Sequence, residues 1–449
     1  MLKRINYYIN NHTLKALFFS LIILRLIVLF LYGSVTIFPD SKAYIALGNR
    51  LLELNLTDYS GRRTPGFPFL IAISNNILGI TVAIQLILGV IGSYFFYDLV
   101  RLKTHLKTFA FTATLCLNLF IHFIFFEFAI LTEALSVFLI ILMFWYIERY
   151  KLLKFDTPVK HYFIISFIFS WLYLIKPFYI YFPVGFTLFY IVNIIINKKT
   201  KTDLLLKSIC ILIVPLVSYY SWNMVNKKNT GYFNNTFYLG LNLSQLATTF
   251  FDKAPEEDKL IRDIFVKHRD SINKVKPFDL PMSVWYAYDE LLEKTRLSEQ
   301  DLCNELGRIS KNLFKNHPDL YVKQAIISWT LFWGYGETLL INREKFNSEY
   351  FKFFILIIWN GFIKYLLILF YVLFLLFSIK KLFLFFKSKC IVYDFDLLVI
   401  CIVLCGSIAQ ALVVYGSNSR YAFPYLPLIV YFVLVKLNRL KSIKNINYV

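Results

Sequence analysis

"HTLKALFFSLIILRLIVLFLYGSVTIFPDSKAYIALGNRLLELN", residues 12–55, changes character once, at Asp40. Before it lies an apolar run, interrupted by Arg25, of the roughly 20 residues that cross a hydrocarbon core of ~30 Å. After it, Tyr44, Leu47, Leu51 and Leu54 recur at spacings of three and four, with Lys42, Asn49, Arg50 and Glu53 between them. That period predicts an amphipathic helix lying along an interface rather than through it. The stretch therefore reads as a first span, over 13–33, that emerges into a surface helix over 41–55. Asp40 stands at or beside the helix N-cap, where the dipole favours an anion.

The rest of the chain repeats the first half of this pattern. Its 449 residues are 58% hydrophobic and only 17% charged, with a mean hydropathy of +0.59. Soluble domains average about 25% charged residues, so the composition defines an all-α polytopic membrane protein. A net charge of +20 raises the question of nucleic acid, but the cations are not arranged for it. They fall in short breaks between apolar runs: "MLKR", "RLKTHLK" (101–107), "ERYKLLKFDTPVK" (148–160), "NKKTKTDLLLK" (197–207), "KKLFLFFKSK" (380–389) and "KLNRLKSIK" (436–444). By the positive-inside rule these belong to the cytoplasm. The spans then alternate at 13–33, 80–101, 107–125, 133–149, 161–175, 178–196, 208–225, 351–379, 392–413 and 421–437, ten in all, with both termini inside. The basic start followed by a long apolar run without a small-residue cleavage site reads as an uncleaved first span.

The alternation divides the chain into a membrane core (1–225), a polar insertion (226–350) and a second membrane block (351–449). The insertion has ordinary globular polarity and helical periodicity at Leu291, Leu297, Leu302 and Leu306, and Pro255 and Pro318 suit helix starts. It shares an outer compartment with the first loop, 34–79, in which "GFPFLIAISNNI" predicts a short interfacial helix. Of six cysteines only Cys303 lies in the insertion, which leaves no outer pair for a disulfide and no metal-type spacing.

Charged residues at the outer face are few. Asp40 reads either as an ordinary loop carboxylate or as a general base set where a membrane-borne acceptor would meet it. "SGRRTPGFPFLIA" (60–72) carries Arg62 and Arg63 ahead of two prolines; guanidinium forks there either snorkel or grip a phosphate. "FFEFAILTEALSVFL" (126–139) places Glu127 and Glu133 around a turn, with Thr132 as candidate cap of the following helix. "LYLIKPFYIYFP" (172–183) carries Lys176 as its only charge, and "VYGSNSRYAFPYLPLIV" (414–430) sets Arg420 beside Tyr421. Alone, each cation is equally an interface anchor. Together they surround two or three acids at one face.

In order and in side, these motifs resemble the GT-C glycosyltransferases, in the branch that includes the bacterial lipid A aminoarabinose transferase and the protein O-mannosyltransferases. The resemblance covers residues 20–225 and 350–437 and omits the insertion. It implies an inverting transfer of sugar from a polyprenyl-phosphate-linked donor to an extracytoplasmic lipid, glycan or protein acceptor at a bacterial inner membrane. It further implies Asp40 as catalytic base, Glu133 as the second catalytic acid and Lys176 as a donor-phosphate ligand. From their own placement, Arg63 and Arg420 are read as further donor-phosphate ligands, and Tyr44 and Tyr421 as lining the substrate groove. Two departures stand out. Lys176 replaces the family's arginine, giving a point charge instead of a fork, and Ser41 stands where many relatives have a second acid, which leaves a divalent metal requirement open. A lipid-sugar flippase, favoured by the mid-span Arg25 unless that residue pairs with an interior acid or reaches phosphate, and a polysaccharide polymerase or ligase are the competing classes.

Overall fold

The computed structural model describes residues 12–33, 35–154, 157–196, 201–336, 339, 341–416 and 418–446. The basic "MLKR" and the first four residues of the 197–207 cluster lie outside them. All ten predicted apolar segments are helical: α1 (Thr13–Leu31), α4 (Leu78–Thr104), α5 (Lys107–Leu119) with the short α6 (His122–Phe125), α7 (Glu133–Arg149), α8 (Val159–Ile175), α9 (Tyr181–Ile196), α10 (Lys201–Thr230), α16 (Glu349–Ile358) running through one π-helical turn into α17 (Lys364–Lys387), α18 (Phe395–Ala411), and α19 (Asn418–Ala422) leading into α20 (Leu426–Ile446). Six helices among the described residues are long and apolar enough to cross a membrane, or seven if the pair Lys107–Leu119 and His122–Phe128, bent by 66°, is one span. Helices α8 and α18 are apolar but shorter, at 17 residues each.

Differences from the expected bounds have local causes. Helix α10 begins earlier and ends later than its apolar window because polar ends continue a helix once it has left the lipid. Helix α2 (Pro39–Leu52) starts with Pro39 at its first position, as suits a residue with fixed φ and no N–H. Asp40 is thus in the first turn rather than at the cap, and it is the Ser41 hydroxyl that accepts the Phe38 N–H at 2.9 Å. Nor does Thr132 cap α7: it has helical backbone angles and its hydroxyl points to Glu133 at 3.4 Å. The interfacial helix of the first loop is confined to α3 (Pro68–Ile73).

Among its described residues the insertion forms five α-helices, α11 (Leu239–Ala247), α12 (Lys259–Val275), α13 (Ser283–Thr295), α14 (Glu299–Asn316) and α15 (Pro318–Phe332), four of which enclose a separate apolar core around Phe251, Phe265, Leu291 and Leu306. Helices α11 and α14 meet so closely that a Cβ on Gly240 would lie 1.6 Å from the Cys303 carbonyl oxygen. Helix α15 returns to the membrane block, where Trp329 donates to the Ser407 hydroxyl at 3.0 Å and Asn418 to the Ser328 carbonyl at 3.0 Å. All six cysteines are free, and Cys303 is buried.

Charges gather at the two ends of the bundle. At the end of α7 that carries Glu148, Lys103 pairs with Glu148 at 2.6 Å, and Asp396 receives Lys436 at 2.8 Å and Arg439 at 2.7 Å. The opposite end carries Glu133. Between the ends lies Arg25, whose guanidinium binds Glu127 through Nε at 2.8 Å and Nη2 at 2.6 Å and also reaches Asn118 at 3.3 Å. Both partners are nearly inaccessible, and a Cβ on Gly89 would lie 1.9 Å from the Glu127 carboxylate, so a larger residue there would displace the pair. Glu127 is therefore an interior partner rather than a free acid of the outer turn. Removing one member of a buried ion pair strands the other, at about 3–5 kcal/mol. Glu127→Leu should lower the midpoint of thermal unfolding in detergent, and Arg25→Leu added to it should restore most of the loss; equal melting of wild type and Glu127→Leu would refute the pairing.

Candidate functional site

Five charged residues singled out in the sequence, from five separate stretches of chain, meet at the Glu133 end of the bundle. Their convergence begins with the backbone. Thr36 pairs with the segment before α7, its N–H donating to the Phe128 carbonyl at 2.9 Å and its carbonyl accepting the Ile130 N–H at 3.0 Å. The Ser41 hydroxyl donates to the Ile130 carbonyl at 2.9 Å. These bonds hold the first turn of α2, with Asp40, over the start of α7, with Glu133. Farther along the loop, the Gly66 N–H donates to the Leu174 carbonyl at 2.8 Å, Trp171 Nε1 donates to the Gly66 carbonyl at 3.2 Å, and Thr64 donates to the Ile175 carbonyl at 3.2 Å. A Cβ on Gly66 would come within 2.5 Å of the Leu174 backbone, so the approach requires glycine. Arg63 and Lys176 are thereby carried on two segments tied together by their main chains.

The side chains form a chain of charge. Arg63 donates to one Asp40 oxygen at 2.7 Å, and Arg420 Nη1 donates to the other at 3.2 Å. Arg420 Nε donates to Glu133 Oε1 at 2.7 Å, and the same oxygen accepts Lys176 at 3.0 Å. Glu133 has no exposed side-chain surface, whereas 40% of Asp40 remains accessible. Three cations against two carboxylates leave one positive charge, and the Nε of Arg63 is buried without an acceptor. An oxyanion supplies both missing elements, the counter-charge and the acceptor.

The two tyrosines expected in a groove lie on the cations. The Tyr44 ring centroid is 4.6 Å from the Arg63 guanidinium carbon, and the Tyr421 ring is 5.2 Å from Lys176 Nζ. Arg62 points away from the cluster and forms a bidentate pair with Glu299 of the insertion. One participant escaped the sequence reading: Tyr238, just before α11, whose ring is 4.8 Å from the same Arg63 carbon. An aromatic among 78 Phe and Tyr carries no local signal of such a contact.

The donor set does not suit a divalent metal. Among the described residues no three of His, Cys, Asp and Glu lie together, the two acids present are each engaged by cations, and Ser41 is occupied by backbone groups. Compared with models of protein families, with curated proteins and with solved structures, the chain matches none.

Asp40 is poised electrostatically. Burial alone would raise its pKa, but Arg63 and then Arg420 outweigh that effect and hold it below the ordinary carboxylate value. A group whose pKa is lowered by folding stabilises the fold above its unfolded pKa and loses that contribution as the pH falls through the folded value. Arg63→Met removes one of the two opposing cations. It should raise the Asp40 pKa and shift the acid loss of stability to higher pH, as followed by the ¹³C carboxyl resonance of labelled aspartate. A midpoint that stays put or falls would show that Arg63 does not control this carboxylate.

Proposed function

We propose that this chain is an inverting glycosyltransferase of the GT-C type, which moves a sugar from a polyprenyl-phosphate-linked donor to a lipid, glycan or protein acceptor outside a bacterial inner membrane. The observation that carries the reading is the Asp40–Arg63–Arg420–Glu133–Lys176 cluster, an accessible carboxylate among three cations with one positive charge in excess. In this reading all ten apolar helices span the bilayer, the Lys103–Glu148 end faces the cytoplasm with both termini, and the insertion lies outside. The mid-span arginine that favours a transporter is consumed by Glu127, which leaves the flippase alternative without its best residue.

In the proposed reaction the acceptor hydroxyl attacks the anomeric carbon while Asp40 takes its proton. The bond between that carbon and the phosphate oxygen breaks, and the phosphate departs with the electron pair. A phosphate leaving group needs its charge neutralised rather than a proton, the task of Arg63, Arg420 and Lys176. Glu133, buried beneath two of these cations, acts by holding them. The same arginines restrain Asp40 at rest. A donor phosphate competes for them and adds a repelling charge of its own, and both effects make Asp40 a stronger base once the donor is seated.

The topology is tested by cysteine labelling in intact cells. An impermeant reagent should label a cysteine at position 260 and not one at position 200, and the reverse pattern would place the cluster on the wrong side for this donor.

Asp40→Asn retains size and hydrogen-bond acceptance but not basicity. Loss of a general base costs about 10²–10⁴ in rate, so the variant should purify and bind a polyprenyl phosphate yet transfer almost no sugar in a reconstituted assay. Glu133→Gln should lose less. Turnover by Asp40→Asn above about a third of the wild-type rate would exclude this mechanism.

A further inference from the structure

The residue that precedes helix α11 brings the insertion to the charged cluster, where it touches a functional cation. The Tyr238 ring lies 4.8 Å from the Arg63 guanidinium carbon, and the Tyr44 ring of α2 lies 4.6 Å from the same atom. Among the described residues Arg63 makes one side-chain hydrogen bond, to Asp40, and its Nε is buried without an acceptor. A guanidinium so sparsely bonded is oriented by what it lies against, and two aromatic rings supply that surface. Tyr238 is itself fixed. It packs against Phe237 at 4.7 Å, and the helix it precedes is locked to α14 by the contact of Gly240 with Cys303. The first loop is tied to the same body through Arg62 and Glu299.

We infer that Tyr238 is a positioning residue, the insertion's contribution to the donor site, which holds the Arg63 fork in the plane that meets the phosphate of a polyprenyl phosphate. The identity of the ligand rests on the glycosyltransferase reading; the action of Tyr238 on Arg63 does not. The insertion then has a role inside the site as well as beside it. Any movement that withdraws α11 frees Arg63, so the insertion couples its own docking to the grip on the donor.

The aromatic face is the active element, so Tyr238→Phe preserves the function and Tyr238→Leu removes it. A cation–π contact of this kind corresponds to about 2- to 30-fold in affinity. Two readouts separate the inference from the proposed function. In the protein without ligand, the ¹³C titration of Asp40 reports on Arg63: Leu at position 238 should raise the midpoint, Phe should not, and Leu should add nothing in an Arg63→Met background. In calorimetry with a short-chain polyprenyl monophosphate, the Leu variant should bind about 2- to 30-fold more weakly and the Phe variant like the wild type. An unchanged Asp40 midpoint in Tyr238→Leu, a Phe variant as damaged as the Leu variant, or an effect equally large without Arg63 would each overturn the positioning role. A wild-type protein that ignores the lipid phosphate while its Asp40 follows the predicted pattern would retain the role and overturn the donor.

Discussion

Arg420 joins what the chain keeps apart. One guanidinium from the last membrane segment donates to Asp40 of the first loop and to Glu133 at the start of α7, residues separated from it by 380 and 287 positions. No other described side chain binds both acids. Arginine suits the place because its donors are spread over a planar fork, so that Nε and Nη1 serve different carboxylates at once. A lysine there would have to choose. Lys176, a point charge, takes the simpler task of a second contact on Glu133.

Two stacked layers of support make this bridge workable. Beneath it, the Arg25–Glu127 pair seals the interior between α1, α4 and the turn after α6, so the segment that leads to Glu133 cannot slide. Gln85 adds to this by donating to the carbonyls of Glu127 and Ala129, both at 3.0 Å. Beside it, the insertion rests on the first loop through Arg62 and Tyr238. The buried pair is shielded from salt, whereas the partners of the Arg62–Glu299 contact are 43% and 31% exposed and are screened by it. The foundation is therefore permanent and the side wall adjustable.

The helices and the five charged residues could be read from the chain, because apolar runs, period and positive clusters are local signals. Alternation of sides even brought Asp40, Glu133, Lys176 and Arg420 to one face before any packing was known. What escaped was pairing. That Arg25 faces Glu127, 102 residues on, depends on Gly89 leaving room, and no pattern around either residue announces it. Arg62 and Arg63 are adjacent and chemically equal, yet one serves the cluster and the other the insertion, a choice made by the left-handed turn at Gly61 and the loop that follows. The caps failed for a related reason. Thr132 follows a buried 3₁₀ turn at 126–128 and enters α7 already in helical geometry, so its hydroxyl has no capping position to occupy.

Gly66 also acts as a ruler. The main-chain bond between it and Leu174 sets how far the loop bearing Arg63 stands from the turn bearing Lys176, and no side-chain rotation alters that bond. Charge at this end of the molecule can be retuned by exchanging one cation for another. The width of the gap between these cations is different in kind. It is written into the peptide backbone at a position that tolerates no side chain, so the site can change its strength far more readily than its span.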